Sequence, residues 1–174
     1  MLSLFSPDYY IESFHSLKIT KLQKQGIKLL ICDIDNTLVA HDHPLPSDEV
    51  VSFIESLKDG GIKVVLISNN VEERVKTFAA PLQVPYYAFA LKPLKKTYKK
   101  CCRDYNFKKS EIAVLGDQLL TDIFGAKRMK FYTILSNPVV LRDMNFTKIN
   151  RIFENIIYYL LAKKKLLVRG EFDE

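Results

Sequence analysis

The chain has 174 residues, of which 48% are apolar and 26% charged, and it carries a net charge of +6 at pH 7. This composition fits a single globular domain and excludes a disordered chain. No apolar run approaches the ~20 residues that cross a bilayer, and the start of the chain lacks the pattern of a signal peptide. The positive charge favours anionic partners such as phosphates, nucleic acid or an acidic membrane surface.

The cysteines of the chain are Cys32, Cys101 and Cys102, and none of them has the spacing of a metal ligand. Their odd number predicts reduced thiols, with Cys32 as a small core residue. We therefore expect a cytoplasmic protein. Peripheral binding at the inner face of the membrane is compatible with this location.

The first third of the chain predicts two strands and a helix. Residues 1–26 are weakly patterned, and we expect short helical turns that pack on the domain. The apolar run 29–32 is too short for a helix and is typical of a strand buried on both faces. Ser47 is a predicted N-cap, and the helix that it begins ends at Gly60-Gly61. Residues 62–67, rich in β-branched side chains, predict a second strand.

The middle of the chain repeats the pattern of helix and strand. Asn70 and Glu73 have the spacing of a capping box, which predicts a helix that ends at Pro81. Residues 86–89 predict a third strand, and Pro93 opens a further helix. The apolar face of that helix is predicted to comprise Leu94, Tyr98, Cys101 and Tyr105.

The last part of the chain predicts a strand at 112–115, a helix around 119–128 and a strand around 131–135. A final helix begins at Thr147 and runs into a lysine-rich end. Its apolar residues at helical spacing are Ile149, Ile152, Phe153, Ile156 and Leu160.

This alternation of short apolar strands with amphipathic helices predicts an α/β fold of three layers, Rossmann-like, with a central and mainly parallel sheet. We expect one domain over residues 1–174 with its core at about 27–140. The N-terminal segment 1–26 and the helix at about 147–165 should pack on that core.

Polar residues follow four of the predicted strands, at the point where each strand ends. They are Asp33, Asp35 and Thr37 after the first strand, Ser68, Asn69 and Asn70 after the second, Lys92 after the third, and Gly116, Asp117 and Asp122 after the fourth. Each of them alone could cap a helix or lie on the surface. Because right-handed crossovers bring the carboxyl ends of parallel strands to one edge, we expect the whole set to converge there.

Paired carboxylates at the exit of a buried strand are costly unless they bind a cation or perform chemistry. A carboxylate can attack phosphorus and form an aspartyl-phosphate, which splits hydrolysis into two displacements. Asp35 alternates away from Asp33 and is free to protonate the leaving oxygen and then to deprotonate water. Mg²⁺, a hydroxyl group and Lys92 would neutralise and hold the phosphate. The residues therefore predict the hydrolysis of a phosphate ester.

The four groups resemble, over about residues 27–140, the four motifs of the haloacid dehalogenase-like (HAD) hydrolase superfamily. Asp33-Ile34-Asp35-Asn36-Thr37 looks like the first motif, Ser68 the second, Lys92 the third, and Gly116-Asp117 with Asp122 the fourth. The resemblance implies Asp33 as the nucleophile, Asp35 as the acid/base and Thr37 as the residue that orients the loop.

The same resemblance implies the ligands of the site. The Asp33 and Asp117 side chains and the Asp35 carbonyl would bind Mg²⁺. Ser68 and Asn69 would hold the phosphate, Lys92 would stabilise its charge, and Asp122 would support the site.

Four segments look closer still to the YqeG family of subclass IIIA phosphatases, which is related to phosphatidylglycerophosphate phosphatases of mitochondria and plastids. They are Gly26-Ile27-Lys28, residues 33–38, Ser68-Asn69-Asn70, and Gly116-Asp117-Gln118 with Thr121-Asp122. The resemblance implies phosphatidylglycerophosphate as a candidate substrate.

The spacing of the motifs leaves no room for a cap domain. There are 32 residues between Asp35 and Ser68 and 23 between Ser68 and Lys92, whereas a separate domain needs at least ~50. We therefore expect a capless (C0) fold with an open site, which suits a phosphate carried on something large, such as a lipid, a protein or a nucleic-acid end.

The helix after Lys92 carries a basic face of Lys95, Lys96, Lys99, Lys100 and Arg103. It is either an ordinary solvated face or a surface that attracts acidic lipid or nucleic acid. His41 and His43 lack a third ligand and are interpreted as loop residues. The alternatives to a lipid phosphatase are a phosphatase for nucleic-acid ends, nucleotides or phosphoproteins, and a phosphate-binding module without turnover.

Overall fold

The computed structural model describes residues 2–140 and 147–173. Its strands are β1 (Tyr9–Ile11), β2 (Leu29–Cys32), β3 (Lys63–Ile67), β4 (Tyr86–Tyr87), β5 (Ile112–Gly116) and β6 (Tyr132–Ser136). They form one sheet in the order β1-β6-β5-β2-β3-β4, and every pairing is parallel.

Helices connect the strands. They are α1 (Ile19–Lys24), α2 (Asp48–Asp59), α3 (Glu72–Leu82), α4 (Lys95–Tyr105), α5 (Phe124–Lys127) and α6 (Thr147–Lys163), together with 3₁₀ turns at Leu2–Phe5, Phe14–Ser16 and Lys109–Glu111 and a π-helical turn at Leu119–Ile123. The described connections β2–β3 and β3–β4 hold one helix each, α2 and α3, and no cap domain. The predicted capless α/β fold is therefore confirmed.

The central strand β2 shows why the fold has three layers. Its side chains alternate between the two faces of the sheet, as in any strand. Leu30 and Cys32 pack in the core that includes α2 and α3, while Leu29 and Ile31 pack in the core that includes α4 and α5. All four are fully buried, which accounts for the unbroken apolar run.

Residues 1–26 differ from the expected set of helical turns, because Tyr9–Ile11 is a strand. It pairs with β6 at the edge of the sheet, and all three residues are buried. Asp8 fixes the start of this strand, since its carboxylate accepts hydrogen bonds from the N–H and hydroxyl of Thr133 at 2.8 Å. The pairing is with residues more than a hundred positions away, so local pattern could not predict it.

Helix α3 also begins and ends differently from the prediction. Val71 is its N-cap and gives no side-chain hydrogen bond, so Asn70 is not the predicted cap. Pro81 lies inside the last turn instead of ending the helix. The Asn70 side chain makes other contacts, described below, because it faces the candidate site.

Helix α6 contacts the rest of the domain through a face other than the predicted one. Leu161 is fully buried in a cluster with Tyr10 and Leu135, and Ile157 and Tyr158 pack against that cluster. Four residues of the predicted apolar face are exposed, namely Ile152, Phe153, Ile156 and Leu160. The Ile149 side chain lies outside the described residues.

Candidate active site

The predicted polar residues meet at the carboxyl edge of the sheet. Six of them are buried, namely Asp33, Thr37, Ser68, Lys92, Asp117 and Asp122. Burial of so many polar side chains at one edge requires that they satisfy one another or hold a ligand.

Lys92 lies between two carboxylates at the centre of this group. Its Nζ is 2.7 Å from Asp33 Oδ1 and 2.6 Å from Asp122 Oδ1. Burial by itself would lower the pKa of Lys92, but Asp122 and Asp33 raise that pKa by more, so the ammonium keeps its charge. Burial raises the pKa of Asp33 to about 7, with Asp122 adding to the effect and Lys92 opposing it.

Three carboxylates face one another beside this lysine. Oxygens of Asp33, Asp117 and Asp122 all lie within 4.8 Å of one another. Burial, then Asp33 and Asp122, raises the pKa of Asp117 well above its usual value. One lysine does not balance three acids, and oxygen ligands in this arrangement fit a hard divalent cation such as Mg²⁺.

The three carboxylates are not equally available to a cation. Asp122 already accepts hydrogen bonds from Lys92 Nζ and from the Gln118 N–H. Asp117 accepts a hydrogen bond from the Thr37 hydroxyl at 3.2 Å. Both oxygens of Asp122 therefore have partners, whereas the described contacts of Asp33 and of Asp117 involve Oδ1 alone.

The close approach of Asp122 depends on Gly116 and on the π-helical turn that follows it. A methyl group on Gly116 would come within 2.6 Å of Asp122 Oδ2. Within the turn, the N–H of Ile123 donates to the carbonyl of Gln118, five residues earlier. The predicted helix over 119–128 is thus a π turn followed by the short α5, and π turns are frequent at functional sites.

Asp35 lies on the other side of the site, with its side chain turned away from the acidic cluster. Its carboxylate is 3.0 Å from Arg74 Nη2 and accepts a hydrogen bond from Asn70 Nδ2 at 3.2 Å. The Ser68 hydroxyl donates to the same carboxylate at 3.5 Å. The Asp35 side chain is not part of the carboxylate group that Asp33, Asp117 and Asp122 form in the described residues.

The contact of Arg74 with Asp35 was not predicted from the sequence. The arginine side chain also donates to the carbonyl of Pro44 at 2.9 Å, so it ties α3 to the loop after β2. An arginine inside a surface helix carries no local signal of such a role. The capping pattern assigned to Asn70 concealed a second contact to Asp35.

Asn69 is placed differently from its neighbours in the motif. Its side-chain carbonyl accepts from the N–H of Lys92 at 2.7 Å, and its amide donates to the carbonyl of Lys92 at 3.2 Å. Both ends of the amide are occupied in fixing the lysine backbone. The second N–H of that amide and the backbone N–H of Asn69 are the donors that could contact a phosphate.

Several other residues take no part in the cluster. Cys32 is a buried free thiol, as predicted. His43 lies beside Asp42 at the surface, and neither His41 nor His43 joins a metal-binding group within the described part of the chain. Among the helices of residues 2–140 and 147–173, none combines the length and apolarity needed to span a bilayer.

The chain is similar to proteins of a known family. Residues 8–130 match the family described as haloacid dehalogenase-like hydrolase. The chain is 39% identical over 160 residues to the probable phosphatase YqeG of Bacillus subtilis (strain 168), covering 92% of this chain and 93% of that protein.

Solved structures share the fold. An uncharacterized protein from Listeria monocytogenes serotype 4b superposes with a TM-score of 0.54 at 22% identity, covering 68% of this chain and 84% of that one. The cobalt-bound deoxy-D-mannose-octulosonate 8-phosphate phosphatase (YrbI) from Haemophilus influenzae superposes with a TM-score of 0.54 at 16% identity. The superposition covers 84% of this chain and 95% of that one.

Proposed function

Because the chain belongs to the haloacid dehalogenase-like hydrolase family, we propose that it is a Mg²⁺-dependent phosphatase that hydrolyses a phosphomonoester through an aspartyl-phosphate on Asp33. The observation that carries the proposal is the placement of two carboxylates in two environments. Asp33 is buried against Lys92, while Asp35 is held apart by Arg74. The similarity to a probable phosphatase supports the same reaction.

In the first step an Asp33 oxygen attacks phosphorus, and the bond from phosphorus to the ester oxygen breaks. Asp35 transfers a proton to the leaving oxygen as the general acid. The Lys92 ammonium attracts the anionic phosphate towards the buried carboxylate and offsets the negative charge of the transition state. Ser68 and Asn69 would hold the oxygens that are not transferred.

In the second step water attacks phosphorus and gives its proton to Asp35, which is now a carboxylate. The bond between phosphorus and the Asp33 oxygen breaks, so inorganic phosphate leaves and both aspartates return to their starting states. Asp122 and Asn69 act as positioning residues, because both act through Lys92.

The metal would be held by the side chains of Asp33 and Asp117 and by the Asp35 carbonyl. Bound there, Mg²⁺ would screen the repulsion between an anionic nucleophile and an anionic phosphate. Thr37 keeps Asp117 oriented through its hydroxyl hydrogen bond.

The candidate substrate is phosphatidylglycerophosphate, at the cytoplasmic face of a membrane to which the protein binds peripherally. The absence of a cap between the motifs supports a substrate with a large carrier. A groove of about 320 Å³ runs along α4, from Lys95 near the site to Lys109 and Arg128, which precede β5 and β6, and its charge supports an anionic surface as the carrier. Its cationic lining residues are Lys95, Lys99, Arg103, Lys109 and Arg128.

A phosphate-release screen tests this function. Lipid, nucleotide, sugar, protein and nucleic-acid-end phosphates are compared with Mg²⁺ and with excess chelator, and we expect release from vesicle-borne phosphatidylglycerophosphate only with Mg²⁺. Preferred release from a soluble phosphate would redirect the substrate assignment. No release from any substrate with Mg²⁺ would identify a binding module instead of an enzyme.

A further inference from the structure

Six of the fourteen large apolar side chains that are exposed in the described residues lie in loops near the candidate site, and the other eight lie on α6 and in the segment after it. Within residues 2–140, every large apolar side chain that is at least 47% exposed lies in a loop at the carboxyl edge of the sheet. These residues form what we call the apolar rim, namely Leu45, Val71, Phe89, Leu91, Leu94 and Val139. Single exposed apolar residues are ordinary, but a set gathered at one edge marks an interaction surface.

The rim is built into the loop that carries the catalytic lysine. Phe89 and Leu91 are 57% and 58% exposed, and both have a left-handed backbone, with φ of 46° and 53°. Bulky side chains rarely adopt this conformation. Hydrogen bonds at 3.0 Å from the Phe89 N–H to Asn70 and from the Ala90 N–H to Ser68 hold the loop in place. The backbone thus holds two apolar side chains in water on either side of Ala90 and next to Lys92.

The charges beside the rim indicate what covers it. Leu94 is followed directly by Lys95, the first cation of the basic groove. Within the described residues, the lining of that groove contains five cations and no acid, whereas the rim residue Val71 is followed by the exposed acids Glu72 and Glu73. Lysine is depleted in the buried centres of protein interfaces. Apolar side chains flanked by lysine and arginine are instead typical of contact with an acidic lipid surface.

We propose that the apolar rim inserts into the interface of an acidic bilayer, so that the carboxyl edge of the sheet and Asp33 face the lipid headgroups. The inference rests on the proposed function for the role of the site, and it deepens that function by naming the surface that binds the membrane. The basic groove then attracts the bilayer, and the rim supplies apolar contact around the opening of the site.

The test replaces two rim residues by a residue that suits their backbone. Asparagine adopts the left-handed region far more readily than phenylalanine or leucine, so Phe89→Asn/Leu91→Asn removes apolar surface without weakening the fold. The matched control is Leu166→Asn/Val168→Asn. Those two exposed residues line a groove with Pro7 and Asp8, at the opposite edge of the sheet.

Binding is measured by flotation with vesicles of phosphatidylcholine alone and with added phosphatidylglycerol, in the absence of substrate. Wild type and the control should bind the acidic vesicles, and Phe89→Asn/Leu91→Asn should bind at least about tenfold more weakly, the factor expected from the burial of even one large apolar side chain. Melting temperatures and hydrolysis of a soluble aryl phosphate should be equal in all three proteins.

Three outcomes would overturn the inference. The first is that wild type does not bind acidic vesicles, and the second is that the control loses as much binding as the rim variant. The third is that wild type is a dimer that the rim substitutions separate, which would make the rim an interface between two copies. Phosphatase activity without vesicle binding defeats this inference alone, whereas rim-dependent binding without phosphatase activity defeats the proposed function alone.

Discussion

At the scale of single residues, the site separates two aspartates that are two positions apart. Asp33 faces Lys92 inside the fold, whereas Asp35 faces Arg74 near the surface. The alternation of side chains along an extended chain explains why they diverge. The different partners of the two aspartates suit them to different roles. The partner of Asp35, Arg74, was not predicted from the sequence.

Arg74 should matter through the position of Asp35. We expect Arg74→Gln to lower kcat by about 10–100-fold with a smaller change in KM, since a misplaced catalytic group costs up to that factor. Arg74→Lys should restore part of kcat, because it keeps a cation beside Asp35. Lys76→Gln, at an exposed position of the same helix, is the control. Steady-state measurements of kcat and KM for the three variants test this role of Arg74. An unchanged kcat in Arg74→Gln would show that Asp35 does not need the arginine beside it.

At the scale of elements, α6 joins the site through one buried acid. Glu154 Oε1 accepts the N–H of Leu120 at 3.3 Å, in the π turn that carries Asp122. Burial raises the pKa of Glu154 to about 6, with Asp122 adding to the effect while the backbone N–H groups of Leu119 and Leu120 and the charge of Arg169 oppose it.

The raised pKa of Glu154 predicts a dependence of stability on pH. Below the unfolded value of 4.5 both states hold the proton. Between 4.5 and about 6 the unfolded chain loses it first, so the free energy of unfolding falls by about 2 kcal/mol and stays lower at higher pH. We expect Glu154→Gln to be more stable by about 2 kcal/mol at pH 7.5 and by about 1 kcal/mol at pH 5.

Urea unfolding without metal at the two pH values measures this difference. Glu55→Gln, at an exposed position of α2, is the matched control and should show no such change. A Glu154→Gln protein that is less stable than wild type at pH 7.5 would mean that the hydrogen bond to Leu120 outweighs the burial of charge.

The elements also show where sequence reasoning succeeds and where it stops. The buried strand Leu29–Cys32 and the cap at Ser47 were predictable, because apolar runs and helix caps are local. Strand β1 was not predictable, because its hydrogen bonds are with the distant β6. Asn70 failed as a cap because its side chain instead contacts Asp35, a tertiary contact that overrides a local preference.

The same distinction holds for the candidate site. Its residues were named in advance because consecutive strand ends of a parallel sheet must converge. The pairing of Asn69 with the Lys92 backbone and of Arg74 with Asp35 depends on side-chain packing between loops. Spacing along a chain carries no information on such contacts. The face by which α6 packs was missed for a related reason, since apolar residues occur on more than one side of that helix.

At the scale of the whole molecule, the parallel sheet gathers acids, lysine and apolar rim on one edge. The acids repel one another there until a cation is bound. This repulsion predicts a large response of stability to Mg²⁺.

We expect Mg²⁺ at about 100 times its Kd to raise the melting temperature by roughly 5–10 °C, from the linkage of binding to folding. Asp117→Asn should lose most of that shift, and in chelator it should melt above wild type because one buried repulsion is gone. Asp59→Asn, an exposed acid of α2, should keep the full shift. Differential scanning calorimetry provides the measurement, and a wild-type melting temperature indifferent to Mg²⁺ would contradict a metal site in this cluster.

The central claim is that Asp33 is the nucleophile, and the turnover of purified Asp33→Asn tests it most directly. Phosphate release from a soluble aryl phosphate is compared in wild type, Asp33→Asn and the exposed control Asp59→Asn, with Mg²⁺ present and folding checked by circular dichroism. We expect full activity in the control and no release above the uncatalysed rate in folded Asp33→Asn, because an amide cannot form the aspartyl-phosphate. Normal turnover by Asp33→Asn would contradict the claim.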